Sequence, residues 1–366
     1  MTRPVVIVPG GIGGTGGLSI DVRNLADGLA ARGHTVVVAG TGGECGSLAA
    51  RFGLQTGIRR VLRDHPGAVV HVFGSMPSYL TAAALTGARR RGHPLVWTPM
   101  FHPLRTRVWR RSLRLRPMLV FDRLVPRAAR LVDIVGAATD AEAAVFAKHA
   151  RVEMLPPVVA PAAVVPEAEA RAFREAVGVG SSPLVVVVAS RDEPRKGLAF
   201  AAASFERLRL KEPTARLLLL GVSDPAGLPA GALSLGRVSD ADLRRAFRAA
   251  DVVFVPSLFE AFSRVVIESW QQDTPVVVSD GVALAPVVEQ VGGNAVPYGD
   301  TQAAATELAR LLRNRAAAWA EGRAGRRLVE ERYVLDVLLD RTEEIYERLP
   351  GGPGTRASTN RMARAA

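Results

Sequence analysis

The feature that most constrains this chain is a pattern used twice, in which short apolar runs alternate with amphipathic helical stretches. In the first half the runs Pro4–Val8, Thr35–Ala39, Val69–Phe73, Leu95–Thr98, Ile134–Ala137 and Val152–Leu155 read as strands. Leu18–Arg32, Tyr79–Arg90 and Ala141–His149 read as the helices between them. The second half repeats the order with strands Leu184–Ala189, Arg216–Gly221, Val252–Pro256 and Pro275–Ser279, and helices Leu198–Leu210 and Asp240–Ala249. Runs this short and this rich in valine fit strands buried on both faces, and a helix after each strand implies parallel crossovers. The expected class is α/β, with two successive doubly covered sheets facing a central cleft. At 366 residues the chain is too long for one core and right for two. Pro156-Pro157 and the Pro/Ala-rich stretch to Pro166 mark the linker, giving domains of 1–158 and 159–335. Arg326–Leu349 reads as a long amphipathic helical region, and the Gly/Arg/Ser-rich tail 351–366 is expected to be disordered.

Composition narrows the function by exclusion. A single cysteine, Cys45, rules out a disulfide framework or a thiolate metal cluster, and the six histidines show no metal-ligand spacing. The apolar run in MTRPVVIVPGG is too short for a signal peptide, and no stretch approaches the roughly 20 apolar residues of a membrane span, so the expected compartment is cytoplasmic. The net charge of +12 is carried almost entirely by arginine, with Lys148, Lys196 and Lys211 the only lysines. Such arginine and alanine richness is what a GC-rich genome produces without selection for a polyanion. It makes Lys196 stand out.

Three loops at predicted strand ends carry the chemistry. GGIGGTGG, residues 10–17, follows the first strand and includes a GxGxxG pattern at Gly11, Gly13 and Gly16. A dinucleotide site also wants an acidic residue at the end of the second strand; VVVAGTGG has none before Glu44. The glycines then serve close approach of backbone N–H groups to an anion or sugar, or form a purely structural loop. In ASRDEPRKG, Arg191 and Lys196 flank a proline-broken loop that opens the next helix, a site for a diphosphate or, in the bland reading, for surface ion pairs with Asp192 and Glu193. In PSLFEAFSRVVIE, Glu260 precedes a helix entered through Phe262-Ser263-Arg264, and Glu268 lies within it, roughly 8 Å along the axis from that entrance at about 1.5 Å per residue. Two cations for phosphates and two carboxylates for sugar hydroxyls are the set a nucleotide-sugar needs. A capping glutamate beside an exposed one is the plain alternative.

Taken with GGLSIDVRNLADGLAARGHTVVV, LGRVSDADLRRAFRAADVVFVPSLFEAFSRVVIES, TPVVVSD and VPYGD, these segments resemble the retaining GT-B glycosyltransferases of family 4 over almost the whole chain, in the expected order. The resemblance implies an N-terminal acceptor-binding domain and a C-terminal nucleotide-sugar domain, with a helix at 336–350 crossing back to the first. It implies that Arg191 and Lys196 hold the donor diphosphate, Glu268 the ribose and Glu260 the transferred sugar. Backbone around Phe262, Ser263, Arg264 and Val265 would contact sugar and phosphate, Arg237-Val238 the base, and Gly16-Gly17 would be the glycine pair of the first loop. His102, in WTPMFHP, occupies the place of a histidine that touches the sugar. The donor expected is a UDP-linked hexose or N-acetylhexosamine, transferred with retention and without a metal or other cofactor. The acceptor is a small molecule or lipid-linked, in natural-product (aminoglycoside-like) or cell-envelope biosynthesis. Departures are Ser263 for a common glycine, Pro156-Pro157-Val158 for Asn-Gly, and GVALAP after Asp280 without the usual glycine pair.

The alternative on the same fold is a nucleotide-sugar epimerase or a sugar phosphorylase. Arg105–Arg130, with nine arginines interleaved with Trp109 and leucines, reads as solvated or acceptor-lining surface, or as peripheral membrane contact. A basic nucleic-acid- or membrane-binding protein is the distant alternative, but a nucleic-acid role lacks a recognition motif, so no nucleic-acid partner is expected.

Overall fold

A computed structural model describes residues 3–9, 17–39, 58, 60–74, 87–102, 124–189, 193–223 and 227–349. Arg191 and Gly16, most of the arginine-rich segment and the tail lie outside them, as does all but the last four residues of the helix read at Tyr79–Arg90, of which 87–90 are helical.

The chain forms two compact units, residues 1–160 with 335–366, and 161–334. The first holds a six-stranded sheet in the order β2-β1-β3-β4-β5-β6, from β1 (Val5–Val8), β2 (Val36–Val38), β3 (Val69–Phe73), β4 (Leu95–Thr98), β5 (Ile134–Ala137) and β6 (Arg151–Met154). Every pairing is parallel. Alternate residues serve opposite faces, as the pleat requires. Val6, Val8, Val70, Val72 and Trp97 enter one apolar cluster, and Val5, Ile7, Val69, Phe73 and Val96 enter the other. Each such fully buried side chain contributes about 1.5–3 kcal/mol. Helix α1 (Gly17–Ala31) covers the second face, and α2 (Asp140–Phe146) packs Phe146 into the first.

Unit 2 repeats the scheme with the order β12-β11-β10-β7-β8-β9. Its strands are β7 (Leu184–Val188), β8 (Arg216–Leu220), β9 (Ala232–Ser234), β10 (Val252–Val255), β11 (Val276–Ser279) and β12 (Asn294–Val296), again all parallel. Its helices are α3 (Glu167–Ala176), α4 (Leu198–Lys211), α5 (Asp240–Ala249), α6 (Arg264–Trp270), α7 (Ala285–Gln290), α8 (Thr301–Arg313) and α9 (Arg315–Arg332).

The helical region 326–349 breaks at Tyr333-Val334, between α9 and α10 (Leu335–Glu347), so that α10 starts one residue before the separate helix expected at 336–350. Tyr333 is buried edge-on against Phe262 in unit 2, whereas α10 belongs to unit 1. Leu338, Leu339, Ile345, Tyr346 and Leu349 enter the cluster formed by β1, β3 and α1. Arg32 at the end of α1 reaches Asp340 at 2.6 Å and Glu343 at 2.7 Å, and His34 reaches Glu343 at 2.7 Å. One expectation changes, at the linker: its start, Pro156–Val159, is wholly buried, so the two prolines are core residues of unit 1. Among the described residues, no helix is long and apolar enough to cross a membrane.

Candidate active site

In unit 2 the loops after β7, β10 and β11 leave the carboxyl ends of adjacent strands, where ligands of such sheets bind. Backbone hydrogen bonds tie them together. Leu258 N–H donates to the Arg195 carbonyl at 2.7 Å, Glu260 N–H to Gly281 at 3.1 Å, and Ala283 N–H to Glu260 at 3.0 Å. Two glycines make the approach feasible. Gly197 has φ +72°, and a Cβ there would stand 1.9 Å from the Pro256 carbonyl oxygen; at Gly281 a Cβ would stand 2.1 Å from that of Leu258. Any side chain would force these loops apart. The glycine that TPVVVSDG keeps is therefore the one the close approach requires.

This packing brings Lys196 to Glu260. The Nζ–Oε1 distance is 2.5 Å, and the side chains are only 22% and 11% exposed. Ser257 Oγ donates to the same carboxylate oxygen at 3.1 Å, and Arg195 approaches it at 3.4 Å while holding Glu193 at 2.7 Å. The surface pairing weighed for this loop belongs to Arg195; that weighed for Lys196 gives way to a pair with Glu260, 64 residues away in sequence. Arg195, Ser257 and Gly281 were not singled out from sequence. Only the lysine-adjacent arginine offered any signal, because a hydroxyl three residues before a glutamate is commonplace.

The segment after Glu260 turns into α6. Phe262 is buried, so it can offer a ligand only its backbone. Ser263 adopts φ +87°, a left-handed conformation that suits the glycine it replaces. Its hydroxyl is buried and unpartnered. Arg264 opens the helix, followed by half-buried Val265, and its Nε lies 3.4 Å from Glu268 Oε1. Burial raises the Glu268 carboxyl above its ordinary range, against the pull of Arg264. Arg237 and Val238 follow β9 in a loop anchored by the Gly221 N–H to Gly236 carbonyl bond at 2.6 Å; Arg237 is exposed and Val238 half-buried. Glu260, Lys196 and the start of α6 are thus brought together, while Arg237-Val238 lie on the β9 side of the sheet.

His102 and Gly17 belong to unit 1. Gly17 begins α1, and His102 is buried just beyond β4. The loop bearing His102 is held by a residue sequence reading passed over: Glu142, fully buried on α2, accepts from Phe101 N–H at 2.5 Å and Ala138 N–H at 2.7 Å. A glutamate in the first turn of a helix looks like ordinary capping until its burial is seen.

A family model described as glycosyl transferases group 1 matches residues 182–314. The match falls within the second unit. Among curated relatives, phosphatidyl-myo-inositol mannosyltransferase of Mycolicibacterium smegmatis is 33% identical over 177 residues, 46% of this chain and 45% of that protein. D-inositol 3-phosphate glycosyltransferase of Segniliparus rotundus is 34% identical over 170 residues, 42% of this chain and 38% of that protein. The chain therefore spans about half the length of the curated relatives it matches. Solved structures cover far more of it at lower identity. Sucrose-phosphate synthase of Thermosynechococcus elongatus superposes with TM-score 0.77 at 21% identity, over 94% of this chain and 98% of its own. Anabaena HepE, solved with UDP and glucose, gives 0.72 at 17%, over 94% and 99%. These likenesses establish the GT-B fold for the whole chain, with the group 1 match in its second half.

Proposed function

We propose that this protein transfers a hexosyl or N-acetylhexosaminyl unit from a nucleotide-sugar, UDP-linked, to an acceptor hydroxyl with retention of anomeric configuration and without a metal. The observation that carries the proposal is the Lys196–Glu260 pair at 2.5 Å, at the carboxyl ends of β7 and β10, in the unit that also bears Glu268. The pair sets out the two recognition tasks at one point. A diphosphate competes for the ammonium, and the carboxylate so released accepts hydrogen bonds from sugar hydroxyls.

As the sugar–phosphate bond breaks, negative charge grows on the leaving diphosphate. Lys196 and Arg191 would stabilise that charge, the service a metal performs elsewhere. A same-face attack, in which the departing phosphate oxygen takes the acceptor proton, needs no separate base. The UDP and glucose held by HepE support a nucleotide donor. The mannosyl- and inositol-phosphate-directed relatives support a polyol acceptor, free or lipid-linked, bound by unit 1. His102 is proposed to touch the transferred sugar.

Calorimetry with UDP, GDP and ADP, with and without EDTA, tests the donor site. Tight, EDTA-insensitive binding of one nucleotide, lost in Lys196→Ala and Glu268→Ala, is the expected result. No binding of any nucleotide by the wild type would overturn the assignment. Retention is read separately, from the anomeric proton coupling of the product.

A further inference from the structure

The charges of α6 run against a rule that α3 and α5 obey at both ends. Anionic side chains favour a helix N-terminus and cations the C-terminus. Helix α3 opens on Glu167 and Glu169 and closes on Arg174; α5 opens on Asp240 and Asp242 and closes on Arg248. Cations also sit in the last turns of α4, at Arg209 and Lys211, and α8, at Arg310 and Arg313. Helix α6 has no acid in its first turn, begins with Arg264 and carries Glu268 one turn later. The two form an i,i+4 ion pair with the cation first, the weaker of the two orders. The residue that admits the helix, Ser263, is itself strained at φ +87° with a buried, unpartnered hydroxyl. Local rules broken together at one short element mark a place where something other than helix stability decides the residues.

We propose that Arg264 is a positioning residue of the donor site: its guanidinium keeps the Glu268 carboxylate charged and aimed to accept hydrogen bonds from both ribose hydroxyls. This rests on the reading of Glu268 as the ribose contact. A neutral carboxyl has turned one of its oxygens into a donor, so it accepts from two hydroxyls less well than an ionised one, which offers both oxygens as charged acceptors. Glu268 is mostly buried, and burial favours its neutral form. Asp240 on α5 pushes the same way; Arg264, and more weakly Arg244 on α5, oppose it. Arg264 is the cation placed in contact, Nε to Oε1 at 3.4 Å, with both side chains about a quarter exposed. Affinity for the nucleotide therefore depends on pH through Glu268, and Arg264 sets where that dependence begins.

The test uses the full chain as wild type, Arg264→Leu, Arg264→Lys and Glu268→Gln. Carboxyl carbon NMR on glutamate-labelled protein follows the Glu268 resonance, assigned by its loss in Glu268→Gln, from pH 4 to 8.5. Its midpoint is expected to rise in Arg264→Leu and to return most of the way in Arg264→Lys. Calorimetry with UDP and GDP over the same range should show wild-type affinity falling toward acid pH. Arg264→Leu should begin to lose affinity at a higher pH than wild type, by about tenfold or more where only the variant is protonated, the worth of one charge-assisted hydrogen bond, and converge with wild type toward the alkaline end. Glu268→Gln should bind weakly at every pH. A Glu268 midpoint unmoved by Arg264→Leu overturns the inference whether or not nucleotide binds. A midpoint that moves while wild type binds neither nucleotide overturns the ribose reading and Arg264's part in it. Parallel pH profiles for wild type and Arg264→Leu show that Arg264 acts only on the fold.

Discussion

The two units bury polar side chains in opposite ways. In unit 1, His71 lies on β3 with one ring nitrogen 2.8 Å from Tyr346 Oη and the other 2.8 Å from Thr98 Oγ1, stacked on Phe73. Burial lowers the His71 pKa to about 3 and pushes the Tyr346 phenol up, so the group is neutral under ordinary conditions. In unit 2, Lys196, Arg195, Glu193, Glu260 and Ser257 form a charged and partly exposed cluster at the strand ends. A neutral network satisfied by its own chain has no valence left for a ligand. It instead fixes α10 against β3. A cation and an anion held against each other can each be exchanged for a ligand group of the same sign as the partner it replaces. Buried polarity alone does not mark a site; exchangeable charge at a strand end does.

The largest effect should come from breaking the charged cluster on one side. Glu260→Gln removes the negative charge proposed to face the sugar and frees Lys196 from its ion pair. Turnover of the nucleotide-sugar should drop by about 10²–10³, the usual loss when one preorganised charge partner is removed. Affinity for the free nucleotide should hold or improve. Steady-state rates beside calorimetry check both. Equal losses in rate and nucleotide affinity would mean that the two carboxylates do not divide the work between sugar and nucleoside.

The neutral network should respond in the other currency. Tyr346→Phe leaves a ring nitrogen of His71 unpaired in the core, a loss of about 1–3 kcal/mol, with no change in nucleotide affinity. The network also has a pH signature. His71 binds its proton in the unfolded chain near the ordinary histidine value and in the folded chain only near 3. Between those values the unfolded state holds more protons, so stability falls as the solution is acidified. The contribution approaches about 1.4 kcal/mol per pH unit. Denaturant midpoints measured from pH 7 to 4 should show that slope in the wild type and a shallower one in His71→Gln.

What could be read from sequence follows the range of the forces involved. Strands such as Val5–Val8 and Leu184–Val188 were visible because burial on both faces writes an unbroken apolar run. The edge strands Ala232–Ser234 and Asn294–Val296 were not, since three residues containing serine or asparagine carry no such run. The boundary expected between 335 and 336 lies within two residues of the helix break at Tyr333-Val334, but the packing of Tyr333 on Phe262 beside that break was not legible. Within the site, residue types and spacing were legible, but the Lys196–Glu260 contact was not. It depends on Gly197 and Gly281 letting three loops touch; after Asp280 only the lack of a glycine pair could be read, and not what the remaining Gly281 is for.

The smallest effect tests whether the charged site is held at the expense of the fold. Burial raises the Glu268 carboxyl above the value it has in an unfolded chain. From about the ordinary glutamate value up to that raised value, the folded state holds the extra proton, so stability is lost as pH rises. Glu268→Gln has no proton to lose. It should match the wild type near pH 4 and exceed it modestly near pH 7, by no more than about 1 kcal/mol, since Arg264 already offsets part of the burial. The same substitution should weaken nucleotide binding, so stability and binding move in opposite directions. At Tyr346 they should not: Phe lowers stability and leaves binding alone. A Glu268→Gln protein no more stable at pH 7 than at pH 4 relative to wild type would mean that the Arg264–Glu268 pair is an ordinary surface ion pair, and that the contrast between the two units stops at Glu260.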